Sequence, residues 1–441
     1  MRKMIISAGL LVPCVFFILN YIILGVDFNF IEFAMLIIIS VITAYEYQNT
    51  NDYLNPLVYF PVLYFALYWI GDFDFMIYPN VPSSLWIYYL VGLLGFYVGV
   101  FFIKRVAVKA PVFDSNDYLR DDVRSMFYFI YLVCIVCKLL MFIKSGVPLL
   151  ASNIDASRQA AAESFGLLKV ISSAHTILVV YFFYDIVSRK KQKLNVPKLN
   201  YFIIICSFAI AILDVSRLLI IQMIVPIVFI IILKVRRLKL KNIIIIFFLA
   251  LVFIGANKFI RNMLDNADYF SYVMTSRGNS LFSNVMLSGF NSFRVGIDDF
   301  RQLVEVVPNN SPHTYGQMFI NSIISPLPGK QVVIGYYVAD ILGMSFDGMG
   351  AATTILGMFY LDGGIVFVFF GMLIFGAFIY LNYKKHINGQ NVSIYSLVSV
   401  YIVYYSINCL RTNVMPTIEP ILFMFYYFVF SYIARKVSVK F

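Results

Sequence analysis

The sequence predicts an all-α polytopic membrane protein of about twelve transmembrane helices with one large external loop late in the chain. Three observations carry that prediction. Of 441 residues, 61% are hydrophobic and only 13% are charged, whereas soluble domains carry about 25% charged residues. The apolar residues fall into runs close to the ~20 residues that a helix needs to cross a bilayer core. The basic residues gather in alternate loops, the positive-inside pattern. This composition excludes an ordinary soluble enzyme, a disordered chain and a coiled coil. β-Barrel strands would alternate polar and apolar residues, and these runs do not. Backbone groups inside lipid must be bonded internally, so the runs read as helices.

The candidate spans lie at about 4–24, 28–46, 56–71, 85–103, 125–144, 166–187, 200–215, 217–234, 242–258, 362–382, 394–411 and 417–434. The third, seventh and ninth are short. The first is longer than the usual apolar core of a signal peptide, roughly 7–15 residues, and is taken as a span. Residues 1–258 then hold nine spans, 259–352 the external loop and 353–441 three more.

With Met1 on the cytoplasmic side, 22 of the 34 Lys and Arg residues fall in cytoplasmic segments and both termini are cytoplasmic. The net charge of +11 is thus a matter of topology. No nucleic-acid motif accompanies it. The stretch from Glu46 to Asn55 is the one cytoplasmic loop without a basic residue. The five cysteines all sit in apolar runs, so no disulfide framework is expected. Cys134-x-x-Cys137 lies mid-helix, outside the βαβ setting of a redox motif. Gly92, Gly95 and Gly99 form a small-residue stripe suited to close helix packing. The 32 tyrosines and 44 phenylalanines are expected mainly at the interfaces and against lipid.

The informative residues are the cations on the external side. Lys138, Lys144 and Lys169 lie near helix ends and are expected to snorkel. Arg158, Arg217, Arg261, Arg277, Arg294, Arg301 and Arg411 run against the topological bias, and their shared side suggests a shared anion. A guanidinium is a planar fork for phosphate oxygens, and a diphosphate suits two or three such forks. Arg217 is three residues from Asp214, so pairing between them is an equal alternative. Arg411 has no acidic neighbour before Glu419. His313 is the external histidine and a candidate acid or base. A solvated loop residue is its plainer reading. External acids such as Asp298, Asp299 and Asp362 could also act as base, and spacing does not choose among them. Asp298 and Asp299 point different ways on a helix, so no metal is expected, and no cofactor motif is present. In the external loop, Tyr315–Leu327 and Gln331–Met344 read as short amphipathic or re-entrant helices.

Taken in order, several stretches resemble the Wzy-type polymerases, which join oligosaccharide repeat units in bacterial envelopes. They are Gly146-Val147-Pro148-Leu149-Leu150 followed by Arg158, and Asp214-Val215-Ser216-Arg217. Next come Tyr315-Gly316 leading to Ser325-Pro326-Leu327-Pro328-Gly329-Lys330, then Gly348-Met349-Gly350-Ala351-Ala352-Thr353 with Gly363-Gly364, and finally Arg411. Lys330 stands where many relatives carry arginine.

The resemblance implies a GT-C-like or O-antigen ligase-like fold and an undecaprenyl-diphosphate-linked oligosaccharide as substrate. It implies transfer at the outer face of the inner membrane, with a chain-length regulator and a flippase as partners. On that footing His313, Arg217 and Arg411 are the expected catalytic residues. Arg158, Arg277, Arg294, Tyr315 and Lys330 are expected to bind the diphosphate and sugars. A ligase that moves finished glycan onto an acceptor, and a flippase for lipid-linked sugars, are the alternatives. A flippase would favour charges buried mid-span and pseudo-symmetric halves.

Overall fold

In chain order the computed structural model forms α1 (Phe30–Thr50), α2 (Pro56–Ile70), α3 (Leu85–Arg105), α4 (Asp121–Ser145), α5 (Gly166–Lys191), α6 (Lys198–Leu213) and α7 (Arg217–Lys234). There follow α8 (Leu281–Val306), α9 (Gln317–Ile324), α10 (Ile334–Ile341), α11 (Thr354–His386), α12 (Ser396–Arg411) and α13 (Glu419–Lys436). The structure describes residues 29–70, 84–106, 118–150, 166–214, 217–234, 281–324, 334–344, 350–386, 396–412 and 419–436, with 252, 255, 256, 259 and 394 as isolated points. The first predicted span and nearly all of the ninth lie outside the described residues.

Helices α1, α3, α4, α5 and α11 are long and apolar enough to cross a membrane, and α2, α6, α7 and α13 are shorter apolar helices. The chain is a multi-pass membrane protein. The span predicted at 362–382 is the second part of α11, and a first helical part from Thr354 precedes it across a break at Gly363 and Gly364. Asn29 opens α1 by accepting the Ile31 amide at 2.9 Å, and left-handed Asn51 closes it.

Helices α3 and α11 run parallel along a glycine seam. A Cβ at Gly99 would lie 2.0 Å from the Leu373 carbonyl oxygen, and one at Gly95 would lie 2.4 Å from that of Phe369. Gly376 answers from the other side, 2.5 Å from the Phe96 oxygen. The predicted stripe is therefore a backbone-to-backbone contact. Around it, α12 is a core helix: Ser396–Ser406, Cys409 and Leu410 are all buried.

Two expectations are corrected. Many tyrosines leave the interfacial belt for the core, where Tyr64, Tyr68, Tyr89, Tyr181, Tyr184 and Tyr427 are almost fully buried. A buried phenol needs a partner, and these hydroxyls often find one on a facing helix. Tyr181 donates to the Tyr427 carbonyl at 2.7 Å, and Tyr64 donates to that of Tyr89 at 2.8 Å. Lys138 does not snorkel. It is buried and bonds Asp214 Oδ1 at 2.9 Å, because the acid that caps the C-terminus of α6 faces it.

The charges sort by end. Lys104 pairs with Glu46, and Lys384 donates to the Lys104 carbonyl at 3.1 Å, so the basic-free loop lies against a cation from α3. At the same end Arg189 binds Asp185 and the Leu119 carbonyl. Arg411, the start of α11 and the C-terminus of α6 lie at the opposite end.

Candidate functional site

That opposite end is built around a break in α11. Gly363 and Gly364 depart from helical geometry, and Gly364 adopts φ 67, ψ −154, a conformation essentially restricted to glycine. Carbonyls beside a helix break need new partners. The Leu361 carbonyl accepts the Thr314 amide and the Asp362 carbonyl accepts the Tyr315 amide, both at 3.0 Å. The Asp362 side chain completes the docking. Its Oδ1 accepts the Thr314 hydroxyl at 2.6 Å and the Gly316 amide at 3.0 Å. Residues 313–316 are thereby held on the broken helix by main chain and carboxylate together.

His313 rides on this loop, half-buried. Its Nδ1 lies 3.3 Å from the Leu361 carbonyl oxygen. A carbonyl can only accept, so this contact favours the Nδ1–H tautomer and leaves Nε2 with its lone pair. The ring packs edge-on to Tyr360, with centroids 5.7 Å apart. Tyr360 in turn donates to the Val307 carbonyl at 2.7 Å. A Cβ on Gly364 would lie 3.5 Å from Nε2. The missing side chain therefore keeps the space beside that nitrogen open. Tyr315, 76% exposed, stands at the loop tip with φ 48.

Helix α8 was not foreseen as a single element. It buries Ile297, Phe300 and Leu303 along one face and carries Arg294, Asp298 and Asp299. Arg294 Nε donates to Asp298 Oδ2 at 3.2 Å, four residues on. Asp299 turns the other way and accepts the Ala352 amide at 2.9 Å, tying α8 to the segment that leads into α11. Burial pushes the Asp299 carboxyl up to about 6. It pushes Asp298 up as well, against the lowering effect of Arg294. Gly296 lets α8 approach closely. A Cβ there would lie 2.7 Å from both the Ala352 and the Arg411 carbonyl oxygens. One glycine thus joins the helix of Arg294, the C-terminus of α12 at Arg411 and the start of α11.

Of the predicted site residues, the fold gathers His313, Tyr315, Arg294 and Arg411 at one end. Arg217 is the first residue of α7, and its side chain lies outside the described residues. Arg158, Arg277 and Lys330 also lie outside them. The predicted alternative of an Asp214–Arg217 pair meets a competitor, since Lys138 holds Asp214 Oδ1. Among the described residues no three His, Cys, Asp or Glu side chains form a metal-ligating group. The residue that spacing could not single out is Asp362. Its signal was the Gly363-Gly364 pair beside it, which frees carbonyls for a docking loop.

A family model described as "Putative O-antigen polymerase" matches residues 52–415. No curated protein and no solved structure matches the chain.

Proposed function

The chain belongs to the O-antigen polymerase family, and on that premise we propose that it joins undecaprenyl-diphosphate-linked oligosaccharide units at the outer face of the cytoplasmic membrane. The acceptor sugar hydroxyl attacks the anomeric carbon of the lipid-linked chain. The bond from that carbon to the diphosphate oxygen breaks, undecaprenyl diphosphate leaves, and the hydroxyl proton passes to His313 Nε2. The observation that carries this reading is the His313–Leu361 contact beside the bare face of Gly364. It supports Nε2 as the acceptor, by favouring the Nδ1–H tautomer, and there is room in front of that nitrogen.

Negative charge grows on the diphosphate as it leaves, so preorganised cations stabilise the transition state. Arg411 and Arg217 are assigned that work. Arg294, which also engages Asp298, lies on α8 at the same end. The amides that begin the second half of α11, after Gly364, add a helix N-terminus that favours anions at the same level. The gathering of Lys104, Lys384 and Arg189 at the far end supports an outward-facing site under the positive-inside rule.

The test is deletion of the gene in its host, complementation with variants and a gel of surface glycan length. His313→Ala is expected to lower polymerisation about 10²–10⁴-fold at unchanged protein level. Arg411→Ala should abolish the ladder, with poor rescue by Lys if a bidentate fork is needed. A full ladder from His313→Ala would overturn the base assignment. Loss of all glycan from the acceptor on deletion, with lipid-linked polymer accumulating, would indicate a ligase instead.

A further inference from the structure

The external helix α9 carries an apolar face that the bundle leaves uncovered. Its Met318 is buried, whereas Phe319 and Ile320 are 41% and 57% exposed. Tyr315, on the loop that leads into α9, is more exposed still. Single exposed apolar residues are ordinary on a protein surface. A cluster of them on one short stretch marks a contact surface instead.

The neighbouring helix says what that surface meets. The exposed side chains of α11 begin directly after the Gly363-Gly364 break, with Ile365, Val366 and Phe367, and continue with Phe370, Ile374 and Phe378. That spacing draws one stripe along a helix long and apolar enough to cross the membrane, so the stripe is its lipid face. Ile320, at 57%, is as exposed as Val366 and Phe370 on that face, both at 56%. The depth of the stripe follows from its other end. Lys384 lies twenty residues beyond Gly364 in sequence (384 − 364), a rise of about 30 Å and thus one hydrocarbon core. With Lys384 at the cytoplasmic boundary, Gly364 stands at the outer one.

Helix α9 packs against α11 at that level. The Gly316 amide bonds the Asp362 carboxylate at 3.0 Å. From this bond the two apolar faces diverge by one helical turn each. Val366 lies four residues beyond Asp362, and the Ile320 amide bonds the Gly316 carbonyl at 3.1 Å. The exposed face of α9 therefore continues the lipid face of α11 at its outer limit. His313, whose Nε2 lies beside Gly364, stands between them.

We propose that α9 is an interfacial anchor: Phe319 and Ile320 enter the outer leaflet where headgroups meet acyl chains, and they hold the His313 loop at that depth. The partner is the lipid surface. A fixed depth matters because the bond to be broken is tied through a diphosphate to a lipid carrier, which sets its height above the acyl chains. That link to catalysis rests on the role given to His313 above. The depth of α9 does not, and it is measured without turnover.

The experiment uses the full chain in nanodiscs of phosphatidylcholine brominated at a shallow or a deep acyl position. Ile320→Trp is the reporter, and the wild-type emission of Trp69 and Trp86 is subtracted. Asn309→Trp, at an exposed position of the same external segment, is the water-facing reference. The Ile320→Trp emission is expected to be quenched by shallow bromines more than by deep ones, at a depth of about 5–10 Å, and to be shielded from aqueous iodide. Iodide quenching equal to that of Asn309→Trp would overturn the proposal. Shielding from iodide and bromine alike would show protein covering the face and overturn it too. For the positioning role, Ile320→Asp is expected to lower polymer about tenfold, because a carboxylate is driven out of the acyl region. Ile320→Leu should keep the wild-type ladder, and melting should be unchanged in both, since the side chain is outside the core. A full ladder from Ile320→Asp, where His313→Ala makes none, would overturn the positioning role. A full ladder from His313→Ala would instead remove the base assignment, and quenching would still decide whether α9 is anchored.

Discussion

Replacing Gly364 with alanine tests the proposed catalytic centre with a single methyl group. Two consequences can be worked separately. The backbone at φ 67, ψ −154 is essentially closed to other residues, and forcing one into such a region costs roughly 1–3 kcal/mol. The added methyl itself would lie 3.5 Å from His313 Nε2 and 3.6 Å from Cε1. That is ordinary contact, so no clash adds to the backbone cost. An acceptor hydroxyl, however, must come within about 2.6–3.2 Å of the same nitrogen, and the methyl crowds its approach. A displacement of about 1 Å in such a geometry costs on the order of 10²-fold in rate. Activity should therefore fall about a hundredfold while stability falls only modestly. Gly343→Ala is the control. Its φ is also positive, at 68, but nothing lies within 4 Å of its absent Cβ. Both variants are melted as purified protein and assayed by glycan ladder in the deletion host. A Gly364→Ala protein that makes a full-length ladder would refute the placement of the acceptor at Nε2.

Three further outcomes are expected. Asp362→Ala removes the acceptor of the Thr314 and Gly316 bonds, each worth about 1.5–3 kcal/mol for a charged group. Hydrogen exchange should then speed up in residues 313–316 before it does in α3, and unchanged exchange would refute the docking role. The Asp299 carboxyl is raised to about 6 from about 3.9 unfolded, so the folded state holds the proton more tightly. Its stabilisation is full below about pH 3.9 and is lost, by about 3 kcal/mol, as pH rises through 6. Wild type compared with Asp299→Asn should show that slope between pH 4 and 7 in chemical denaturation, and parallel curves would contradict it. On the α3–α11 seam, Gly99→Ala meets backbone at 2.0 Å, whereas Gly92→Ala meets the ends of Leu356 and Tyr64 at 2.8 Å. The first should cost about 3 kcal/mol and the second nearer 1, as overpacking does; the reverse order of melting temperatures would refute the seam.

Membrane character, helical content and the sorting of charges were legible because they are one-dimensional properties. A run of apolar residues or a basic loop is read without knowing its neighbours. The glycine stripe at Gly92, Gly95 and Gly99 was legible for the same reason, since helical period alone places it on one face. The glycine and arginine motifs, in order along the chain, likewise carried the resemblance. The partners of these residues were not legible. Lys138 meets Asp214 across 76 positions, and Thr314 meets Asp362 across 48. Nothing local distinguishes a lysine that snorkels from one that faces a carboxylate on another helix. The buried tyrosines went astray in the same way, because a phenol sits in the core once a facing carbonyl is there to accept it. His313 stood out by being rare, but its chemistry did not. Which of its nitrogens is free depends on the Leu361 carbonyl, and that carbonyl is turned towards it by a break in a helix that begins only at Thr354. The sequence by itself determined what kind of solvent surrounds this protein and which residues were candidates. The tertiary structure decided which candidates share a site, because hydrogen bonds and ion pairs act over a few ångströms whatever the distance along the chain.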